Sequence, residues 1–212
     1  MTQLESAIEG VLTAQMRQVC TTEPLAEQEL LHRVAGGRAV IPANRGHADL
    51  RAVGIGAGLC TKVNANIGTS PERSDVEHEL AKLQAALDAG ADAVMDLSTG
   101  GDLRGIRAEI RERCDVALGS VPIYEAAADA ARAHGDVAKM TADDMLAAVR
   151  RHAEDGVDFV TVHCGVTRDL VRSGEIEKRT CGIVSRGGTF TAHWIRRHGQ
   201  ENPLYERFDE LV

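Results

Sequence analysis

From residue 59 onward one unit recurs along the chain: a short apolar run rich in Val and Ile, a polar and Gly-rich end, then a stretch with helical spacing of its apolar residues. The runs are Leu59–Ile67, Ala93–Leu97, Val116–Val121, Phe159–His163 and Gly182–Ser185. Five such strands separated by helices demand a largely parallel sheet, because parallel neighbours must be joined by a crossover. The fold class is therefore α/β. Helix boundaries follow from local chemistry. Ser74-Asp-Val-Glu77 predicts a capping box and Thr141-Ala-Asp-Asp144 a second N-terminal cap, since short polar side chains satisfy the first free amides of a helix. Asp88-Ala-Gly-Ala-Asp92 and Glu154-Asp-Gly-Val-Asp158 repeat one stop signal, with Gly where a helix ends before a strand.

Residues 1–58 read differently. Thr2 is placed to cap a first helix, and Ala26 to Val34 runs helically into Gly36-Gly37. Arg38-Ala-Val-Ile-Pro42 reads as extended, and a loop follows with Asn44, Gly46 and Gly54-Ile-Gly-Ala-Gly58. That loop is GxGxG and precedes a strand, so it is not the dinucleotide fingerprint. No low-complexity stretch or linker interrupts 59–198, which predicts one α/β domain (59–212) carrying an N-terminal helical extension (1–58).

Composition narrows the function classes. The formal charge of −8 argues against a basic nucleic-acid-binding domain. Without an 18-residue apolar run, no membrane span is expected. The opening Met1-Thr-Gln-Leu-Glu-Ser6 lacks the basic and apolar regions of a secretory signal, so a cytoplasmic location is expected. The five cysteines (Cys20, Cys60, Cys114, Cys164, Cys181) form no CxxC and no CxxH, which predicts reduced and mostly buried thiols. Aromatics are only 3% against 21 Gly, so the core must be built from Val, Ile, Leu and Ala.

In α/β folds of this kind the chemistry gathers at the carboxyl ends of the strands. The side chains there are Asn64 and Asn66; Met95, Asp96 and Ser98; Tyr124; His163 and Cys164; Ser185 and Arg186. Two ends share a pattern, Ser98-Thr-Gly-Gly101 and Ser185-Arg-Gly-Gly188. Consecutive glycines let backbone amides converge on an anion at a helix N-terminus, and Arg186 adds a bidentate partner for phosphate. Asp102 occupies the positive end of the first helix, so the second loop is the better anion site; an ordinary tight turn with a solvent-facing Arg is the plain alternative. Asn64 and Asn66, two apart, share a strand face. His193 and His198 are five apart and no HExxH occurs, so no metal site is expected within this chain.

The strings Thr61-Lys-Val-Asn-Ala-Asn-Ile-Gly-Thr-Ser70, Val94-Met-Asp-Leu-Ser-Thr-Gly-Gly101, Val121-Pro-Ile-Tyr124, Val160-Thr-Val-His-Cys-Gly165, Ile183-Val-Ser-Arg-Gly-Gly188 and Glu201-Asn-Pro-Leu-Tyr205 resemble the phosphomethylpyrimidine synthase family of thiamine biosynthesis. The resemblance runs from the N-terminus to Val212. It implies a (βα)8 TIM-type barrel, of which this chain would hold the first five βα units, in a homodimer. It also implies a radical rearrangement of 5-aminoimidazole ribotide to hydroxymethylpyrimidine phosphate, with S-adenosylmethionine, a 4Fe-4S cluster and zinc as cofactors. The family's substrate residues fall here on Asn66, Met95, Tyr124, His163, Ser185, Arg186 and Gly187. By that carry-over Ser185-Arg-Gly187 grips the phosphate, while Asn66, Tyr124 and His163 orient imidazole and ribose.

The family's later strands, an acidic substrate residue, two metal-binding histidines and the CxxCxxxxC cluster motif would all lie beyond Val212. Five units leave an open apolar edge in an eight-stranded barrel, so the chain is expected to be the first part of a longer protein or a truncated product, inactive alone. Two alternatives stay open. Pro42-Ala-Asn-Arg-Gly-His47 departs from the Asn-x-Asn-His form of the thiamine enzymes, which leaves 5-hydroxybenzimidazole synthase, acting on the same substrate, as a second reading. A non-catalytic remnant that binds a ribotide or dimerises is the third.

Overall fold

A computed structural model describes residues 1–212. Three short helices open the chain: α1 (Gln3–Ile8), α2 (Ala14–Thr22) and α3 (Glu27–Ala35). Thr2 caps α1 in a full capping box with Glu5, and α3 runs into Gly36 as read from the sequence. Strands β1 (Ala39–Val40) and β2 (Ile55–Gly56) then pair antiparallel.

The α/β part follows as β3 (Asn64–Ile67), α4 (Val76–Asp88), β4 (Ala93–Asp96), α5 (Leu103–Arg113), β5 (Ala117–Ser120), α6 (Pro122–His134), α7 (Ala142–Glu154) and β6 (Phe159–Val160). β3, β4, β5 and β6 form a parallel four-stranded sheet in sequence order. Helices α8 (Arg168–Arg172), α9 (Arg186–His198) and α10 (Pro203–Glu206) complete the chain. No helix is long and apolar enough to cross a membrane.

Three sequence expectations are corrected. Gly182–Ser185 is not a strand: it makes no ladder bonds, and Val184 is 75% exposed. An extended run becomes a strand only where a neighbour supplies partners, and β6 offers two residues, both already facing β5. At α4 the cap is Asp75, whose carboxylate accepts from the Glu77 amide, and no box forms with Ser74. Of the five free thiols only Cys114 is buried; burial pushes it up to about 11, while Cys60 and Cys181 lie exposed in loops. The capping box at Thr141 and the left-handed Gly90 and Gly156 stops occur as expected.

The sheet has two unlike faces, fixed by the period of two along each strand. On one face Ile67, Val94 and Leu118 join Leu80 and Leu83 of α4 and Ile106 and Ile110 of α5 in one apolar cluster. Each such side chain contributes roughly 1.5–3 kcal/mol on full burial, which seats the helices. The register puts Asn66, Met95, Gly119 and Phe159 on the other face. A Cβ on Gly119 would come within 2.3 Å of the Phe159 ring, so only Gly lets that ring lie against the strand. At the amino ends of the strands this face is closed by the N-terminal helices, where Ala93 and Ala117 join Met16, Val19 and Leu30. At the carboxyl ends it opens.

Beyond the sheet, α6, α7 and α9 build a further cluster around Met140, Met145, Trp194 and Ile195. Trp194 donates its indole N–H to the Met140 carbonyl at 2.7 Å, and His198 stacks on it at 4.4 Å while bonding the Ala138 carbonyl. His198 is thereby a packing residue.

Candidate ligand site at the strand ends

At the open end lies a cleft of about 570 Å³. Asn66 from the end of β3, Tyr124 from the first turn of α6, and Ser185 and Arg186 at the start of α9 line it, with Thr99 and Val184 between them. Asn66 is exposed, and its carboxamide has no partner within the chain. The Arg186 guanidinium sits 5.4 Å over the Tyr124 ring, which fixes a long cationic side chain against an aromatic face. Phe190, one turn further along α9, meets the other part of Tyr124 edge-on at 6.3 Å.

The start of α9 is shaped for an anion. Ser185 caps the helix, its Oγ accepting from the Gly188 amide at 3.1 Å. The Thr189 amide bonds the Ser185 carbonyl at 2.9 Å, which leaves the Arg186 and Gly187 amides without acceptors in the chain. They stand at the positive end of a 13-residue helix beside an exposed Arg186 side chain.

His163 lies one step from the cleft, in an adjoining cavity of about 470 Å³ that shares Val184 and Ser185 with it. Its Nε2 bonds the Ser185 hydroxyl at 2.8 Å, and its buried Nδ1 has no partner. Burial pushes its pKa below the ordinary imidazole range, so the ring is neutral at physiological pH. A Cβ on Gly187 would fall 2.2 Å from the ring. Gly187 is therefore required for the His163 ring to pack on the helix. Met95, 8% exposed, is buried in the floor of the sheet face, next in register to Asn66. Of the seven residues singled out, four line one cleft, His163 and Gly187 pack beside it, and Met95 lies beneath.

The other Ser-x-Gly-Gly turn does different work. The Ser98 hydroxyl accepts from the Thr69 amide, the Thr69 hydroxyl bonds the Gly100 carbonyl, and the Thr99 amide bonds the Thr69 carbonyl. Asp96, whose carboxyl is pushed upward by burial, accepts from the Ser98 amide at 2.9 Å. Asp102 caps α5. This turn is zipped to its neighbour loop and has no free helix end.

Two arrangements were not legible in the sequence. Ser120 Oγ, His152 Nδ1 and Nε2, and Glu125 Oε2 form a serine–histidine–carboxylate line at 2.7 and 3.0 Å. All three side chains are buried on the helix side of the sheet, and Glu125 also takes bonds from Arg104, Arg107 and Arg151. Burial raises the Glu125 pKa, but the His152 bond, the Arg107 charge and the Arg104 bond outweigh it and hold the carboxylate ionised. Ser120 is only 1% exposed. The line binds helices together; it is not a nucleophile. At the opposite end of the sheet, His47 bonds Asp158 at 2.8 Å and the Cys114 carbonyl at 2.9 Å, while Asp158 also accepts from the Asn44 and Leu118 amides. The 42–47 segment therefore ties the amino ends of β5 and β6 and does not reach the cleft.

Residues 2–212 match the radical SAM ThiC family. The chain belongs to the radical SAM ThiC family. It is 51% identical over its whole length to the phosphomethylpyrimidine synthase of Moorella thermoacetica and 50% identical to that of Dehalococcoides mccartyi, covering 49% of each. Against the phosphomethylpyrimidine synthase of Methanopyrus kandleri it is 52% identical over 198 residues, which is 93% of this chain and 46% of that protein. The chain thus spans about half the length of the curated ThiC relatives it matches. Among its residues no three His, Cys, Asp or Glu side chains converge as a group that could hold a metal ion.

Proposed function

We propose that the chain supplies the ribotide-binding strand ends of a phosphomethylpyrimidine synthase that converts 5-aminoimidazole ribotide to hydroxymethylpyrimidine phosphate in the cytoplasm. The observation that carries this reading is the single cleft in which Asn66, Tyr124, Ser185 and Arg186 meet beside an uncapped pair of helix amides. In it the phosphate sits at the start of α9, held by the Arg186 and Gly187 amides and the Arg186 guanidinium. The free Asn66 carboxamide and the Tyr124 hydroxyl face the imidazole and ribose, and neutral His163, bonded through Nε2 to the Ser185 hydroxyl, orients that residue at the edge of the cleft. Met95 sets the depth of the floor.

The sheet is proposed to be a sector of a (βα)8 barrel, with the Asn66–Met95–Gly119–Phe159 face as its lumen. The cluster, S-adenosylmethionine and zinc are assigned to the remainder of such a protein. A homodimer is proposed for the assembled enzyme. Between the thiamine and benzimidazole products, the place of the 42–47 segment favours the first, because its departure lies away from the ligand.

Calorimetric titration of the purified protein with 5-aminoimidazole ribotide tests the site. Saturable binding that inorganic phosphate competes with is expected; absence of binding overturns the reading. Product analysis of the assembled enzyme then separates hydroxymethylpyrimidine phosphate from 5-hydroxybenzimidazole, and binding without any turnover would leave the remnant reading standing.

A further inference from the structure

We infer that Glu201 and Asn202 are positioning residues that hold the His163 ring against Ser185 at the edge of the ligand cleft; this rests on the ribotide-site reading above. The chain leaves the sheet after β6 with two residues between Val160 and His163, so the ladder does not hold His163 in place. What holds it lies some forty positions away in sequence. Asn202 is 0% exposed, and its Nδ2 donates to the carbonyls of His163 at 2.9 Å, Cys164 at 3.3 Å and Val166 at 3.1 Å. Its Oδ1 accepts from the Leu204 amide at 3.0 Å, which fixes the carboxamide orientation. One carboxamide thereby pins three backbone carbonyls within the four residues 163–166, which would otherwise be orphaned.

Glu201 sets that clamp. Its Oε1 accepts from the Asn202 amide at 2.8 Å and the Arg168 amide at 2.6 Å, joining the start of α10 to the start of α8. On the far side the His163 ring meets the bare backbone of Gly187. The ring is thus gripped between a backbone tied by Asn202 and a helix turn with no side chain, which leaves Nε2 facing Ser185 as its one bond. Neither Glu201 nor Asn202 lines the cleft, so both act through His163.

The test uses Glu201, because removing the Asn202 carboxamide leaves buried carbonyls unpaired and endangers folding. Glu201→Ala should lower affinity for 5-aminoimidazole ribotide about tenfold, whereas Glu201→Gln, which keeps the Oε1 acceptor, should bind like the parent. In a His163→Ala background the Glu201→Ala loss should vanish, since the two changes act on one path. Unchanged affinity in Glu201→Ala, equal loss in Glu201→Gln, or full additivity with His163→Ala would each overturn the inference. If the parent protein itself fails to bind ribotide, the function reading falls and the positioning claim is judged by NMR alone. The cross-peak between His163 Hε1 and the Gly187 α-protons should then be lost in Glu201→Ala and kept in Glu201→Gln; its survival in Glu201→Ala would overturn the claim.

Discussion

Ser98-Thr-Gly-Gly101 and Ser185-Arg-Gly-Gly188 share one pattern near a helix start, yet the first lies ahead of the α5 cap and the second forms the cap and first turn of α9. In the first, Gly100 is needed because the chain passes so close to the Ser70 carbonyl that a Cβ would meet it, and Asp102 closes the helix end. In the second, Gly187 is needed because the His163 ring packs on it, and the cap is Ser185 itself, which leaves two amides free. A Gly-Gly pair at a helix start records close approach in both cases. What approaches, backbone or side chain, decides whether the turn is sealed or open to a ligand.

Four changes would break or sharpen that contrast. The largest effect is expected for Gly100→Ala: overpacking against backbone 2.3 Å away should cost about 1–3 kcal/mol in denaturant unfolding, with ribotide affinity unchanged in the folded fraction. Next, Arg186→Ala should weaken ribotide binding roughly 10–100-fold, the loss of one charge-assisted contact, while the unfolding midpoint stays put. A fall in stability with intact binding would reverse the roles of the two turns. Asp102→Ala should lower stability by about 1 kcal/mol through loss of a cap and leave binding alone, as calorimetry on the variant would read.

The smallest effect is electrostatic. His163 has a depressed pKa in the folded protein, so the unfolded chain binds the extra proton more readily and acid favours unfolding. Stability from this residue should be complete above about pH 6.5 and decline as pH falls below it towards the folded-state pKa. His163→Gln should flatten that part of the profile in thermal melts; an unaltered slope would show that the ring is not desolvated.

Local chemistry made much of this legible from sequence. Thr2, Thr141 and Asp102 cap helices and Gly90 and Gly156 end them because each signal is contained within a few residues. The strand-end list also placed Asn66 and Tyr124 at one cleft, since a parallel sheet gathers its carboxyl ends on one side, while Ser185 and Arg186 reach the same cleft from the start of α9 without a strand before them. What escaped depended on distant partners. The run at 182–185 reads as a strand until the absence of a neighbouring ladder is known. Glu201-Asn-Pro was visible as a motif, but its grip on residues 163–168 spans more than thirty positions and leaves no local signature.

The buried Glu125 carboxylate, with buried Arg107 and His152 and the more exposed Arg104 and Arg151 around it, constrains how this sequence can change over time. Arg104, Arg107 and Arg151 from two helices, with His152 and Ser120, converge on one carboxylate. Breaking such a buried pair by losing one member costs about 3–5 kcal/mol, whereas replacing the whole set with well-packed apolar residues can be neutral. Single loss of the buried Glu125 or Arg107 is thus disfavoured, although joint replacement of the set is not. Helices α5, α6 and α7 are locked into co-inheritance, and a recombination crossover placed between them would separate the carboxylate from its cations.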